Sequence, residues 1–255
     1  MGAGHGHLLH LDRPSPVHRL APEVKIAAMV AFTLVVVATP REELWAFGGY
    51  GVLIVAVAAV ARVPAGWLAR RSLIEVPFVV FAFALPFLAG GERVSWWGLS
   101  LSVEGLYGGW NILAKGTLGV LASLLLAATT NSRDVLVGLD RLRCPSIVTQ
   151  IAAFMLRYLE VLIGEARRMR IARISRGDDP RFLWQVRGFA AGIGALFLRA
   201  FERGERVYLA MISRGYDGRM PAAWRVGGQA SAGQWAAAAS VPVAAVAIAA
   251  VALLG

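Results

Sequence analysis

The stretch LYGGWNILAKGTLGVLASLLLAATT, residues 106–130, carries a single charged side chain, Lys115, in twenty-five positions. Its apolar residues run on continuously rather than alternating with polar ones. A bilayer core needs about 20 predominantly apolar residues as helix, and only helices or closed barrels satisfy the backbone inside it. A continuous run selects the helix. Three further stretches read the same way, residues 26–38, 44–61 and 235–254. A fourth, residues 73–89, is interrupted by Glu75, Pro77 and Pro86. Of the 255 residues, 57% are hydrophobic and 16% charged, against about 25% charged in an ordinary soluble domain. The expected fold is an all-α polytopic membrane protein with about five transmembrane helices.

The first of these runs is short and follows Lys25, a pattern that also describes a signal peptide. The further spans and the early Pro40 favour a helix that starts at Pro22, a good first-turn residue. Lys25 then snorkels to the interface. Cys144 is the single cysteine, which excludes an intramolecular disulfide framework.

Charge is distributed unevenly. Residues 131–230 hold 17 of the 26 basic side chains and 9 of the 16 acidic ones, and all 17 are arginine. Positive residues mark cytoplasmic loops. Arg62, Arg70 and Arg71 place the loop between the second and third spans inside. Loops with Arg41, Glu42 and Glu43, and with Glu92, Arg93 and Glu104, fall outside. The expected order is residues 1–130 as a cytoplasmic tail and four spans, 131–230 as a cytoplasmic segment, and 231–255 as the last span.

The cytoplasmic segment has helical patterning. From Pro145 about thirty residues read as one helix, apolar almost all round at first, so that its front half lies against or partly in the membrane. The back half is amphipathic, with Arg167, Arg168, Arg170, Arg173 and Arg176. A second pattern, residues 181–214, follows three-four spacing, with Glu202 and Arg206 as an expected i,i+4 pair. The two patterns end on the same words, ISRGDD at 174–179 and ISRGYD at 212–217. Gly177 and Gly215 suit the left-handed turn that closes a helix, and an arginine in the last turn suits the negative end of its dipole. One such end is a helix stop. Two, each finishing a long basic helix, resemble a pair of prongs for acidic sockets.

These residues resemble the transmembrane T component of energy-coupling factor transporters. One family signature is met by Arg157, Tyr158, Glu165, Ala172, Ser175, Arg176 and Gly177; the other by Ala210, Met211, Ser213, Arg214, Gly215 and Tyr216. His18, Arg19, Leu20, Pro22 and Lys25 match the family's entry to its first span, and the likeness runs from residue 16 to about 218. The resemblance implies a scaffold that links two cytoplasmic ABC-type ATPases to a substrate-capturing membrane subunit, the S component, with a small accessory membrane subunit in some assemblies. It implies that Arg176 and Arg214 each enter a groove on one ATPase, that ATP is bound by those partners, and that this chain binds no cofactor itself. Likeness to the cobalt-type branch implies cobalt uptake across a bacterial inner membrane, with the N-terminus cytoplasmic. A vitamin or nickel importer is the alternative.

All four histidines lie in the first eighteen residues. His5, His7 and His10 form a weak candidate for metal binding, set against a plain polar tail. Lys115 and Asn111 sit inside the fourth span and Glu75 near the cytoplasmic start of the third, where such groups are functional candidates by default, set against a snorkelling Lys115 and an interfacial Glu75. Gly48, Gly49, Gly51, Gly108, Gly109, Gly116 and Gly119 permit close helix packing, against a neighbouring helix or another subunit. Catalysis finds little support. A membrane prenyltransferase needs paired Asp-rich motifs for magnesium and diphosphate, and Asn131, Asp134, Asp140, Asp178 and Asp179 have the wrong spacing. No phosphate-binding loop of the Gly-x-x-x-x-Gly-Lys type occurs. The long apolar faces argue for protein and lipid partners rather than nucleic acid.

Overall fold

Proline sets the start of the first long helix. Pro22 occupies its first turn, where the missing N–H costs nothing, and the helix runs to Ala38. The computed structural model describes residues 10–11, 13–96, 99–177, 186–218 and 228–254. In chain order the helices are α1 Pro16–Arg19, α2 Pro22–Ala38, α3 Leu44–Val60, α4 Ala65–Ser72, α5 Val76–Leu88, α6 Val103–Thr129, α7 Ser132–Arg141, α8 Ser146–Ile174, α9 Val186–Ile212 and α10 Ala232–Leu254. A short hairpin, β1 Arg93–Trp96 and β2 Leu99–Ser102, is antiparallel with Arg93 opposite Ser102. The chain divides into two units, residues 7–142 with 227–255, and residues 143–226.

The first unit is a helical bundle in which α2 packs on α6, α7 and α10, and α5 packs on α6. Its centre is Tyr50, fully buried, with Phe32 and Phe47 each edge-on to its ring. Thr39 Oγ1 donates to Val35 O at 2.9 Å, so the Tyr50 hydroxyl donates to Thr39 Oγ1 at 2.8 Å. The bundle's outer side chains are apolar and uncovered. Phe83 is 67% exposed and Leu88 74%, a distribution that belongs in lipid rather than water.

Among the described residues, four helices are long and apolar enough to cross a membrane: Ala65–Leu88 counted through the 3-10 turn Leu73–Glu75, Val103–Thr129, Ser146–Ile174 and Ala232–Leu253. Leu44–Val60 is a shorter apolar helix. The architecture is that of an all-α polytopic membrane protein. Helix α8, expected as a cytoplasmic helix whose front half lies against or partly in the membrane, is also long and apolar enough to count as a span on length and composition. Its first eighteen residues carry only Arg157 and Glu160 as charges.

The two lysines correct the idea of snorkelling. Lys25 is buried and donates from Nζ to Thr129 O at 2.8 Å; Lys115 donates to Val37 O at 2.7 Å. Each lysine therefore satisfies one of the carbonyls left free at a helix C-terminus, and the two contacts lock α2 and α6 antiparallel. Glu75 is buried in the 3-10 turn and accepts from Thr117 Oγ1 at 3.1 Å.

The glycines sort by face. A Cβ on Gly109 would lie 2.5 Å from Ala82 O, and one on Gly105 2.6 Å from Leu85 O, so α5 and α6 meet backbone to backbone. A Cβ on Gly49 would press on Ile248 of α10 at 3.1 Å, whereas Gly48, Gly51, Gly116 and Gly119 have open space beside them.

Candidate functional site

Helices α8 and α9 end by the same atomic steps. In α8, Ser175 N–H and Oγ both donate to Ile171 O, at 3.0 and 2.9 Å. Arg176 N–H donates to Arg173 O at 3.0 Å, and Gly177 N–H to Ile174 O at 2.9 Å. In α9, Ser213 N–H and Oγ donate to Leu209 O at 3.0 and 2.9 Å. Arg214 N–H then reaches Met211 O at 3.0 Å, and Gly215 N–H reaches Ile212 O at 2.9 Å. The glycine φ angles are +80° at Gly177 and +81° at Gly215. That left-handed conformation is open to glycine without a Cβ penalty. At α9 the Tyr216 N–H adds a bond to Met211 O at 3.0 Å, which completes a Schellman closure. Asp178, the equivalent position after α8, lies outside the described residues.

The closure aims one side chain. Arg176 and Arg214 are the last residues before the left-handed turn, and both are exposed. Neither guanidinium is engaged in an ion pair among the described residues. A serine that bonds back to its own helix, an arginine and an obligatory glycine thus form a rigid mount for a projecting cation.

Two of the residues singled out in the sequence, Glu165 and Tyr216, join the two helices to each other. Glu165 accepts from Arg168 at 2.7 Å and from Arg199 of α9. Tyr216 Oη donates to Gln150 Oε1 at 2.5 Å, and Gln150 Nε2 to Gly218 O at 3.1 Å. Near the other end, a Cβ on Gly192 would lie 3.7 Å from Arg173 Nη1. Gln150 with 216–218, Glu165 with 199 and Arg173 with 192 define an antiparallel pair. The start of α8 adjoins the end of α9, and the two Arg-Gly ends lie at opposite ends of the pair. At 1.5 Å per residue, roughly 40 Å of helix separates Arg176 from the level of Arg214.

Arg157 lies over the Tyr158 ring at 5.9 Å. Ala172 and Ala210 are exposed in the last turns, and Met211 is half-buried. The expected Glu202–Arg206 pair does not form among the described residues; the charge pairing of α9 goes across to α8 through Arg199 instead. Gln150 was not singled out by sequence reasoning. The available signal was a lone amide inside the apolar front half of α8, and it is buried.

The histidines do not assemble a metal site among the described residues. His5 and His7 lie outside the described residues. His10 stands edge-on to His18 with ring centroids 6.1 Å apart. Both ring nitrogens of His18 are engaged, Nε2 with Leu11 O at 2.9 Å and Nδ1 with Ser15 Oγ at 2.7 Å. Burial lowers the His18 pKa, while the Leu11 carbonyl works in the opposite sense.

Comparison with known proteins places the chain. The model of a family described as cobalt transport protein, CbiQ, matches residues 13–223. The chain is 30% identical over 224 residues to the energy-coupling factor transporter transmembrane protein EcfT of Thermanaerovibrio acidaminovorans, covering 82% of each chain. It is 25% identical over 224 residues to the EcfT of Staphylococcus aureus, again covering 82% of each. It is 26% identical over 216 residues to a putative fused cobalt transport protein CbiMQ of Methanocorpusculum labreanum. That match covers 81% of this chain and 36% of the fused protein, so the chain spans little more than a third of that relative's length. These relatives are transport components rather than enzymes. With two long helices ending in matched Arg-Gly mounts, and a family match that spans both mounts, the chain belongs to the CbiQ family as a transmembrane component of the energy-coupling factor type.

Proposed function

We propose that this chain is the coupling scaffold of a cobalt importer, in which Arg176 and Arg214 each seat in one of two cytoplasmic ABC-type ATPases. The observation that carries the reading is the set of four hydrogen bonds and the left-handed glycine that the two helix ends share, which presents the same cation twice at opposite ends of one antiparallel pair. A homodimer of ATPases offers two equivalent sockets, and two equivalent prongs are what it would accept. An arginine against desolvated carboxylates makes charge-assisted, bidentate bonds. Losing one half of such a pair costs about 2–5 kcal/mol.

ATP binding closes the ATPase dimer and shifts the two helix ends together. The uncovered apolar stripe of α9, with Ile193, Phe197, Phe201 and Tyr208 exposed, supplies a surface on which that shift reaches the substrate-capturing membrane subunit and the bilayer. ATP and the cobalt ion are bound by the partners, and no catalytic residue is assigned to this chain. Cobalt rather than nickel or a vitamin is favoured by the family's description and by the name of the fused relative.

Deleting the chain from cells that depend on it should abolish cobalt accumulation and leave vitamin uptake intact. Normal cobalt accumulation with lost nickel, biotin or riboflavin uptake would move the substrate and leave the scaffold reading standing. On this reading the chain lies in the bacterial inner membrane with a cytoplasmic N-terminus. Reporters fused after Arg71 or Gly177 should therefore read cytoplasm, and one after Gly255 the outside. A cytoplasmic C-terminus would overturn the five-span order.

A further inference from the structure

One buried ion pair holds both roots of the coupling segment. The segment leaves the membrane unit just after α7, whose last residue is Arg141, and the chain returns at Gly228, ahead of α10. Arg141 Nη1 lies 3.1 and 3.2 Å from the two carboxylate oxygens of Glu23, and 2.9 Å from Gly228 O. Glu23 Oε1 also accepts the Ala230 N–H at 3.1 Å. The carboxylate thus binds the departing and the returning strand at once.

The site is built rather than incidental. Glu23 is 4% exposed and sits in the first turn of α2, where the positive end of the helix dipole favours a carboxylate. One turn before Arg141, a Cβ on Gly138 would lie 3.0 Å from Glu23 N and 2.8 Å from Ile26 Cδ1. The α7 backbone therefore rests directly on the first turn of α2, and only a residue without a side chain allows that approach.

Stability alone does not account for this arrangement. A buried ion pair is often no more stable than apolar residues of similar volume, because desolvation offsets the attraction. Apolar packing, however, has no directed bonds with which to grip the Gly228 carbonyl and the Ala230 amide. Without that grip the two connecting strands would take up displacement instead of passing it on.

We infer that Glu23 and Arg141 are positioning residues that clamp both roots of the coupling segment to α2. Movement of the segment is thereby delivered to α2, which packs on α6 and α10. This inference rests on the coupling role proposed above.

The test uses the chain co-expressed with its ATPases and membrane partner and reconstituted in vesicles. Three quantities are measured: co-purified ATPase, ATP hydrolysis and cobalt uptake. Glu23→Gln keeps the size and one acceptor but removes the charge. Glu23→Leu combined with Arg141→Met replaces the pair by apolar groups of similar bulk, so that folding and assembly survive. Both variants should keep ATPase binding and hydrolysis near wild type while uptake falls by about tenfold or more, the order of an ordinary coupling free energy. Faster amide exchange at Ala230 should accompany the loss. Full uptake in the apolar double variant would overturn the inference, as would a fall in uptake that only tracks lost assembly. Failure of the underlying coupling role has a different signature, in which Arg176 and Arg214 are dispensable for ATPase binding in the otherwise unaltered chain.

Discussion

Arginine at the final position of a helix serves twice, as a favourable charge for the dipole and as a planar fork for carboxylates. At Arg176 and Arg214 the preceding serine bonds back to its own helix, the following glycine takes the left-handed turn, and the arginine between them is exposed. The glycine is the most exacting member of the set. Gly215→Ala forces a Cβ into φ +81°, at a cost of about 1–2 kcal/mol. The closure should loosen and release the Tyr216–Met211 bond, weakening ATPase binding by about five- to thirtyfold. Gly194→Ala, in the body of α9 with open space beside it, should leave binding unchanged. Titration of the purified ATPases against the solubilised chain checks both, and equal affinity for Gly215→Ala would refute the mounting role. The repeated Ser-Arg-Gly was legible because it is local, each bond spanning five residues or fewer. The partners of Lys25 and Lys115 were not, because each is a backbone carbonyl supplied by another helix, 104 and 78 positions away.

Between elements, the α5–α6 contact shows how close packing is built and why it was only half legible. Sequence supplies a set of glycines in apolar helices, but not which face each one occupies. Gly109 and Gly49 turn out to touch neighbours, while Gly48, Gly51, Gly116 and Gly119 do not. Gly105 lies just before the apolar run that begins at 106, and so escaped the list although it makes one of the tightest contacts. Gly109→Ala would drive a Cβ to 2.5 Å from the Ala82 carbonyl, and overpacking of this kind costs about 1–3 kcal/mol. A lower melting temperature in detergent is expected, with Gly116→Ala as a neutral control. No shift for Gly109→Ala would mean that α5 and α6 can separate at little cost. The α8–α9 pairing was likewise hidden. Each helix announces itself by its pattern, whereas their antiparallel register depends on Glu165 meeting Arg199 and Gln150 meeting Tyr216.

For the whole molecule, composition alone identified a membrane bundle with a basic segment between its last two apolar runs. Composition could not separate a membrane span from α8, which is apolar in its front half and of sufficient length as a whole. On the function proposed above, what organises the chain as a transport component is the pairing of the two Arg-Gly ends on one antiparallel helix pair. The most direct measurement is the uptake and co-purified ATPase of the double variant Arg176→Ala, Arg214→Ala, with Arg167→Ala as a control for general basicity. The account predicts that each single change weakens binding, that the double change nearly abolishes ATP-driven uptake, that Arg→Lys rescues poorly, and that Arg167→Ala is close to wild type. Full assembly and full uptake in the double variant would contradict it, and would reduce the repeated motif to a way of ending a helix.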